Sequence, residues 1–147
     1  MPDKFSKETR SRMMSGIRNK DTRPEIIIRK ELFGNGFRYR LHNGRLPGKP
    51  DMVFRKHMAV IFIHGCFWHG HNCSYFVWPK SNKDFWRKKI NGNKKNDKKV
   101  INELQTMGYR VCIVWECVTR NGVLLPKAIE KLVAWLLSYK PFLEISI

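Results

Sequence analysis

Residues 50–63 read PDMVFRKHMAVIFI, and this stretch determines most of the fold. Residues 52–54 and 59–63 are short apolar runs of strand length, and the polar turn at 55–57 separates them. Two such runs predict a pair of adjacent strands. The loop before them, LPGKPD (46–51), is rich in Pro and Gly and brings Asp51 to the start of the first strand.

The segments on either side predict helices and further strands. Thr22 can cap a helix, Pro24 suits its first turn and Glu25 completes a Thr-x-x-Glu capping box, so a helix is expected to about Gly34. FRYRL (37–41) alternates like a half-buried strand, and residues 64–82 look irregular. A long helix over 83–106, a buried strand over 109–115 and an amphipathic helix over 124–138 follow. This order predicts an α/β fold whose small mixed sheet is covered on both faces.

Charge and length limit the class of protein. The 147 residues suit one domain, expected at 21–147, behind a basic arm at 1–20. The net charge of +17 predicts a polyanionic partner, with a merely basic solvated surface as the alternative. The positive charge is densest in residues 80–99, which hold nine Lys or Arg and two Asp. No apolar run could span a membrane and the N-terminus has no signal core, so a cytoplasmic location is expected.

Cysteine and histidine positions predict a metal site. Cys66, His71 and Cys73 lie within eight residues, and Cys117 follows the buried strand and can supply a fourth ligand. Four such ligands form a closed, structural zinc site, whereas the alternative is a set of unrelated thiols and surface histidines. Cys112 lies within the buried run and is expected to be core.

The same region offers residues for catalysis. A carboxylate at a strand start can hold Mg²⁺ beside a phosphate, although Asp51 alone could equally form a turn. The neighbouring strand ends in His64, so adjacent strands would place Asp51, the Ile63 carbonyl and His64 at one end of the sheet. His69 also remains outside the predicted zinc site.

The long helix supplies a partner for His69. Trp86, Ile90, Asn93 and Asp97 share one face of that helix. Asp97 can orient His69 as a general base, or it can simply pair with the lysines around it.

Two aromatic residues lie between these polar groups. Phe67 and Trp68 are either core residues or a wedge that opens the base stack of a duplex. A mismatched step costs least to open, so a wedge would favour damaged or mismatched DNA.

Four motifs together resemble the very-short-patch repair endonucleases. They are PGKPD, AVIFIHGCFWHGHNC, FWRKKI with Asn93 and Asp97 after it, and RVCIVWEC, and the resemblance runs from about Thr9 to Cys117. It implies a restriction-endonuclease-like α/β fold with a structural zinc. It also implies Mg²⁺-dependent nicking of double-stranded DNA, 5′ of the thymine in a T·G mismatch left by deamination of 5-methylcytosine.

The resemblance also implies a role for each site residue. Asp51 and the Ile63 carbonyl would bind Mg²⁺, and Glu25 would hold metal-bound water. His69 would activate the attacking water with Asp97 orienting it, and His64 and Asn93 would contact the scissile phosphate region. Zinc would be bound by Cys66, His71, Cys73 and Cys117, and the DNA wedge would be formed by Met14, Phe67 and Trp68.

Some features depart from the family pattern. The wider nuclease superfamily has a Glu-x-Lys after its Asp, and the second strand here ends in Ile63 and His64 instead. Family members often carry Thr at the position of Ile63 and His at that of Gly70. A backbone-carbonyl ligand survives the first exchange, whereas a role for the hydroxyl does not.

Two other functions remain open at this point. A non-catalytic, zinc-stabilised module could bind distorted duplexes, and a restriction endonuclease could cut matched DNA on both strands. The protein is expected to act as a monomer on the nucleoid of a bacterial cytoplasm. The bases that flank the site and any contact with mismatch-repair proteins are left open.

Overall fold

One five-stranded mixed sheet organises the part of the chain that the structure, a computed structural model, describes, residues 22–147. Its strands lie in sequence order: β1 (Arg40–Leu41), β2 (Met52–Phe54), β3 (Ala59–His64), β4 (Arg110–Trp115) and β5 (Phe142–Ile145). The helices are α1 (Arg23–Gly34), α2 (Lys83–Thr106), α3 (Glu116–Thr119) and α4 (Leu124–Leu136), with a 3₁₀ turn at Arg55–His57. This arrangement confirms the predicted α/β class and is consistent with a restriction-endonuclease-like fold.

The two halves of the sheet differ in strand direction. β1–β2 and β2–β3 pair antiparallel, whereas β3–β4 and β4–β5 pair parallel. Helix α2 lies in the crossover from β3 to β4, as a parallel connection requires. In register, Met52 is opposite Ile61 and His64 is opposite Trp115. The ends of β3 and β4 and the start of β2 therefore lie at the same end of the sheet.

Burial explains the continuous apolar runs of the two central strands. Residues 59–62 of β3 and 111–115 of β4 are all buried. Strands covered on both faces have no polar side to alternate with. The helices contribute buried core residues: Ile28 and Leu32 from α1, Val100 and Leu104 from α2, and Leu132 and Leu136 from α4. The predicted covering of both faces of the sheet is thus confirmed.

Helix α1 begins close to the predicted position and has the predicted N-cap residue, but the predicted side-chain capping bond does not form. Thr22 is the N-cap residue, and its side chain makes no capping hydrogen bond. The Glu25 carboxylate accepts a hydrogen bond from Arg29, one turn further along, at 2.9 Å. Glu25 is thus held by the pairing of two side chains on one helix face.

The strand predicted for FRYRL is confirmed only at Arg40–Leu41. Residues 37–39 before it are irregular, and the Phe37 N–H closes the end of α1 by donating to the Leu32 carbonyl at 3.1 Å. Gly36 permits this turn with φ +93°. Residues 37–39 therefore lie between α1 and β1, although their alternation resembles that of a strand.

The C-terminal region differs most from the prediction. Helix α4 ends at Leu136, where the Arg110 guanidinium donates to the carbonyls of Trp135 and Leu136 at 2.9 and 3.0 Å. Strand β5 was not predicted, and it pairs parallel to β4 with Ile113 opposite Glu144. A four-residue edge strand carries too few buried positions to be recognised from its pattern.

The predicted basic arm, residues 1–20, and Met14 within it lie outside the described residues. Among the helices of residues 22–147, none is long and apolar enough to cross a membrane.

Candidate active site

A cavity of about 650 Å³ opens at the end of the sheet where β3 and β4 end. Most of the residues predicted for catalysis line it: Glu25, Asp51, Ile63, His64, His69 and Asp97. Trp68 lines it as well, whereas Phe67 and Asn93 are not among its lining residues. The fold therefore gathers residues from α1, β3, α2 and two loops into one concave site.

The register of the β2–β3 pair places Asp51 in this cavity. Because Met52 is opposite Ile61 in an antiparallel pair, the register continues to Asp51 opposite Phe62, next to Ile63. The Ile63 N–H donates to Asp51 Oδ2 at 2.6 Å. The other carboxylate oxygen, Oδ1, is 4.0 Å from His42 Nδ1. The hydrogen bond fixes the orientation of the carboxylate relative to the end of β3.

A second carboxylate, from α1, faces Asp51. Glu25 is buried, and its Oε2 lies 2.9 Å from Arg29 Nη2 and 3.5 Å from His42 Nε2. Ligand atoms of Glu25, His42 and Asp51 all lie within 4.8 Å of one another. Clustered carboxylate oxygens suit a hard divalent cation such as Mg²⁺. The donor set therefore fits the metal that the resemblance implies.

Burial strongly perturbs the titration of Asp51. It raises the pKa of Asp51 to about 7; the Ile63 N–H opposes this shift and the Glu25 carboxylate adds to it. An aspartate whose pKa is higher in the folded than in the unfolded chain destabilises the fold wherever the unfolded form is ionised.

We expect Asp51→Asn to raise the free energy of unfolding more at pH 7 than at pH 4. The difference should be a few kcal/mol, because one pKa unit corresponds to about 1.4 kcal/mol. Below pH 3.8 the carboxyl group is protonated in both states, so the substitution changes little. Between that pH and about 7 only the unfolded chain ionises, and above about 7 the difference is constant. Free energies of unfolding measured from pH 4 to 8 without added Mg²⁺ check this. Exposed Asp84→Asn is the control, and a flat difference for Asp51→Asn would contradict the prediction.

His69 and Asp97 form a hydrogen-bonded pair across the loop and α2. His69 Nδ1 lies 2.7 Å from Asp97 Oδ2, so Nε2 is the ring atom that can take up a proton. The structure thus brings together the two residues that the sequence analysis paired. Asp97 is one turn beyond Asn93 on the helix, which directs both side chains toward the loop.

The His64 ring lies against this pair. Its ring is stacked on that of His69, with centroids 3.8 Å apart and planes 2° apart. Burial lowers the pKa of His64 well below its usual value, and His69 lowers it further. Its Nδ1 is buried with no hydrogen-bond partner in the described part of the chain. The His64 imidazole at the cavity is therefore neutral.

Asn93 is placed differently from what the resemblance implies. Its Nδ2 donates to the Trp68 carbonyl at 2.8 Å, and it is not among the cavity lining. In the structure Asn93 therefore supports the loop that carries Trp68 and His69. A contact with the scissile phosphate remains a prediction.

The four predicted zinc ligands lie close together in the structure. Ligand atoms of Cys66, His71, Cys73 and Cys117 all lie within 4.8 Å of one another. Tetrahedral zinc with sulfur ligands at about 2.3 Å needs separations of roughly 3.8 Å, so this donor set fits. Burial raises the pKa of the Cys66 thiol, and a bound cation would offset that cost of ionisation.

Gly70 allows the loop to reach these ligands. It adopts φ +61°, and a Cβ there would lie 2.7 Å from Ile90 Cγ2 and would collide with Lys94 Cε. The loop therefore passes close over α2 where it connects His69 to His71.

Phe67 and Trp68 belong to a cluster of aromatic rings at the start of α2. The Phe67 ring lies 5.3 Å from both Trp68 and Trp86, and 5.9 Å from Phe76. Both residues are half-buried, and Trp68 borders the cavity. The nine Lys and Arg side chains of residues 80–99, which follow this segment in the sequence, are all exposed.

Several residues of the site were not predicted from the sequence. His42 and Arg29 complete the Glu25 and Asp51 cluster, and Glu116 and Lys49 line the cavity. The i,i+4 spacing of Glu25 and Arg29 was a usable signal. The others come from loops and element ends whose positions depend on tertiary packing.

Comparison with known proteins identifies the family of this chain. Residues 2–75 match the family model for the DNA mismatch endonuclease Vsr. The type II nicking enzyme V.NmeAIP of Neisseria meningitidis is 46% identical over 133 residues, covering 90% of this chain and 95% of that protein. V.XorIIP, a type II nicking enzyme of Xanthomonas oryzae, is 45% identical over 117 residues, 80% of this chain and 86% of its own.

The DNA mismatch endonuclease Vsr of Escherichia coli K12 is 43% identical over 121 residues, covering 82% of this chain and 78% of that one. Identity at this level over most of both chains indicates common descent and a shared fold. The chain therefore belongs to the Vsr family of DNA mismatch endonucleases.

Proposed function

We propose that this protein is a DNA endonuclease that nicks one strand at a T·G mismatch, on the 5′ side of the thymine. The observation that carries the proposal is that two groups of side chains suited to metal binding and proton transfer line one cavity: the Asp51–Glu25 carboxylates and the His69–Asp97 pair. The names of the similar proteins, a mismatch endonuclease and nicking enzymes, support the same reaction class. The exposed basic residues of α2 suit a phosphate backbone.

Each residue has a chemical role in this proposal. Asp51 and the Ile63 carbonyl would hold Mg²⁺, and Glu25 would hold water bound to it; when bound, the cation would polarise the scissile phosphate. His69 Nε2 would accept a proton from the attacking water, and Asp97 would stabilise the resulting imidazolium. The water oxygen would bond to phosphorus as one P–O ester bond breaks, and the leaving sugar oxygen would take a proton from solvent water, which opens one strand. Neutral His64 would contact the phosphate.

Zinc is assigned to the second donor set, formed by Cys66, His71, Cys73 and Cys117. With four protein ligands and no open position, it would brace the loop rather than react. It would thereby hold His64 and His69 on one side and the aromatic residues on the other.

Cys117→Ala is expected to lower the zinc content from about one per chain to well below one, because it removes one of four ligands. The thermal midpoint should fall as well, since metal-binding energy is lost from the folded state. Cys112→Ala is the matched control: its thiol is buried in β4 outside the cluster, so zinc content should be unchanged. Elemental analysis of the purified variants measures this, and equal zinc in both would contradict the assignment.

Phe67 and Trp68, with Met14 from the N-terminal arm, would form the wedge that opens the mismatched step. Unstacking costs a few kcal/mol and costs least at a mismatch, which gives a physical source of selectivity. The substrate is then double-stranded DNA bound by a monomer, and the bacterial nucleoid is the corresponding location.

A panel of end-labelled duplexes tests the proposal. Duplexes carrying T·G, the other mismatches or only matched pairs are incubated with the protein and Mg²⁺, and the bases around T·G are varied. We expect a single nick 5′ of the thymine in T·G duplexes alone. Binding without cleavage would favour the non-catalytic module, and double-strand breaks in matched DNA would favour a restriction endonuclease.

A further inference from the structure

Trp115 lies between the predicted zinc site and the two histidines of the cavity, His64 and His69. It is the last residue of β4 and is 8% exposed. Its ring is stacked on that of His71, with centroids 4.1 Å apart and planes 7° apart. It also presents an edge to His64 at 5.2 Å and 74°, and to His69 at 6.2 Å and 71°. One indole thus contacts a predicted zinc ligand and both histidines of the cavity.

The indole is itself held by the last strand. Trp115 Nε1 donates to Glu144 Oε1 at 2.8 Å. Because Ile113 is opposite Glu144 in the β4–β5 pair, Trp115 lies two residues on and on the same face. That diagonal position is within reach of a long side chain. A hydrogen bond to a carboxylate is stronger than one between neutral groups, so it fixes the rotation of the ring.

A buried indole N–H needs a hydrogen-bond partner in any case, and here that partner also helps to set the plane of the ring. Apolar packing restricts the position of a ring, whereas the Nε1 bond also selects its plane. That plane matters here because His71 lies parallel to it, while the stacked His64–His69 pair meets it edge-on. Rotation of Trp115 would therefore disturb the orientation of all three histidines.

We propose that Trp115 is a positioning residue of the nicking site, held in place by Glu144, which sets the ring planes of His64, His69 and His71. The inference rests on the proposed function, since His64 and His69, which Trp115 would orient, are those assigned to phosphate contact and proton transfer. It gives a role to β5, because the edge strand supplies the group that holds the indole.

The first test reads ring orientation without any substrate. In protein with isotopically labelled histidine, the stack of Trp115 on His71 should shift the His71 ring protons upfield in NMR spectra. Glu144→Ala should remove much of this shift, and Glu144→Gln should restore it because the Gln Oε1 can still accept the Nε1 hydrogen bond. Glu130→Ala, at an exposed glutamate of α4, is the matched control and should leave it intact.

The second test reads the reaction. With a T·G duplex, Glu144→Ala and Trp115→Phe should slow single-turnover nicking by about 10- to 100-fold, the usual cost of losing a group that orients a reacting one. Duplex affinity should be unchanged, and Glu144→Gln should recover most of the rate.

The outcomes separate the two proposals. If Glu144→Ala keeps both the His71 shift and the rate of Glu130→Ala, or loses the shift without losing rate, the positioning role of Trp115 is overturned. If the parent protein nicks no duplex, the proposed function fails instead, and the spectra still show whether Glu144 orients the histidines. Glu144 lies on an exposed edge strand, so its variants test the idea even if Trp115→Phe does not fold.

Discussion

Asp51→Asn should lower the single-turnover rate of nicking by about 10³-fold or more, since losing roughly 4 kcal/mol of transition-state stabilisation has that effect. The substitution removes the charge that would hold Mg²⁺, and the asparagine oxygen can still accept the Ile63 N–H bond. The fold and the exposed basic surface should therefore persist. Duplex binding, measured by fluorescence anisotropy, should be unchanged or tighter because one negative charge near the phosphate is removed.

Asp84→Asn provides the matched control for this experiment. It makes the same chemical change at an exposed position in the first turn of α2. Its nicking rate should equal that of the parent protein. Strong cleavage by Asp51→Asn would overturn the assignment of this carboxylate to the metal, whatever the stability measurements show.

His69→Ala should slow nicking by about 10²- to 10⁴-fold, the range that a positioned general base contributes. Asp97→Ala should cost less, about 10- to 100-fold, because it leaves the base in place and removes only the group that orients it. The double variant should be little slower than His69→Ala, since two residues that act as one unit do not contribute independently.

His57→Ala is the control for the histidine substitution. Of the five histidines, His42 lies beside Asp51, His64 and His69 lie beside Asp97, and His71 lies in the predicted zinc site. His57 belongs to none of these groups in the described residues. Rates are measured in single turnover so that product release does not mask the chemical step. Fully multiplicative losses for His69→Ala and Asp97→Ala would show that the two side chains act separately, which would contradict the dyad.

Local patterns were sufficient for the central elements of the fold. The apolar runs of β2, β3 and β4 and the long α2 could be predicted because each is dominated by its own burial or periodicity. Edge strands were predictable only in part: β5 was not predicted, and only Arg40–Leu41 of the strand predicted over 37–41 forms. β5 and the two residues of β1 are exposed at alternate or all positions, so their pairing depends on the neighbour rather than on their own composition.

The same distinction applies to the site. Spacing alone placed Cys66, His71 and Cys73 together, and the face of α2 paired Asp97 with a histidine of the loop. Those predictions concern residues close in sequence or on one helix face. The approach of Glu25, Arg29 and His42 to Asp51 depends on where α1 packs against the sheet, which no periodicity encodes.

By itself, the sequence determined the chemistry: which ligands, acids, bases and aromatics this protein has, and the strands and helices that carry them. Only the tertiary structure decided how they act together. It buried Asp51 beside Glu25 and so raised the pKa of Asp51 to about 7, and it turned Asn93 toward the Trp68 carbonyl. It also brought Glu144 of an unpredicted strand to Trp115. These contacts join segments far apart in the chain, and their energies depend on burial and distance, which exist only once the sheet has formed.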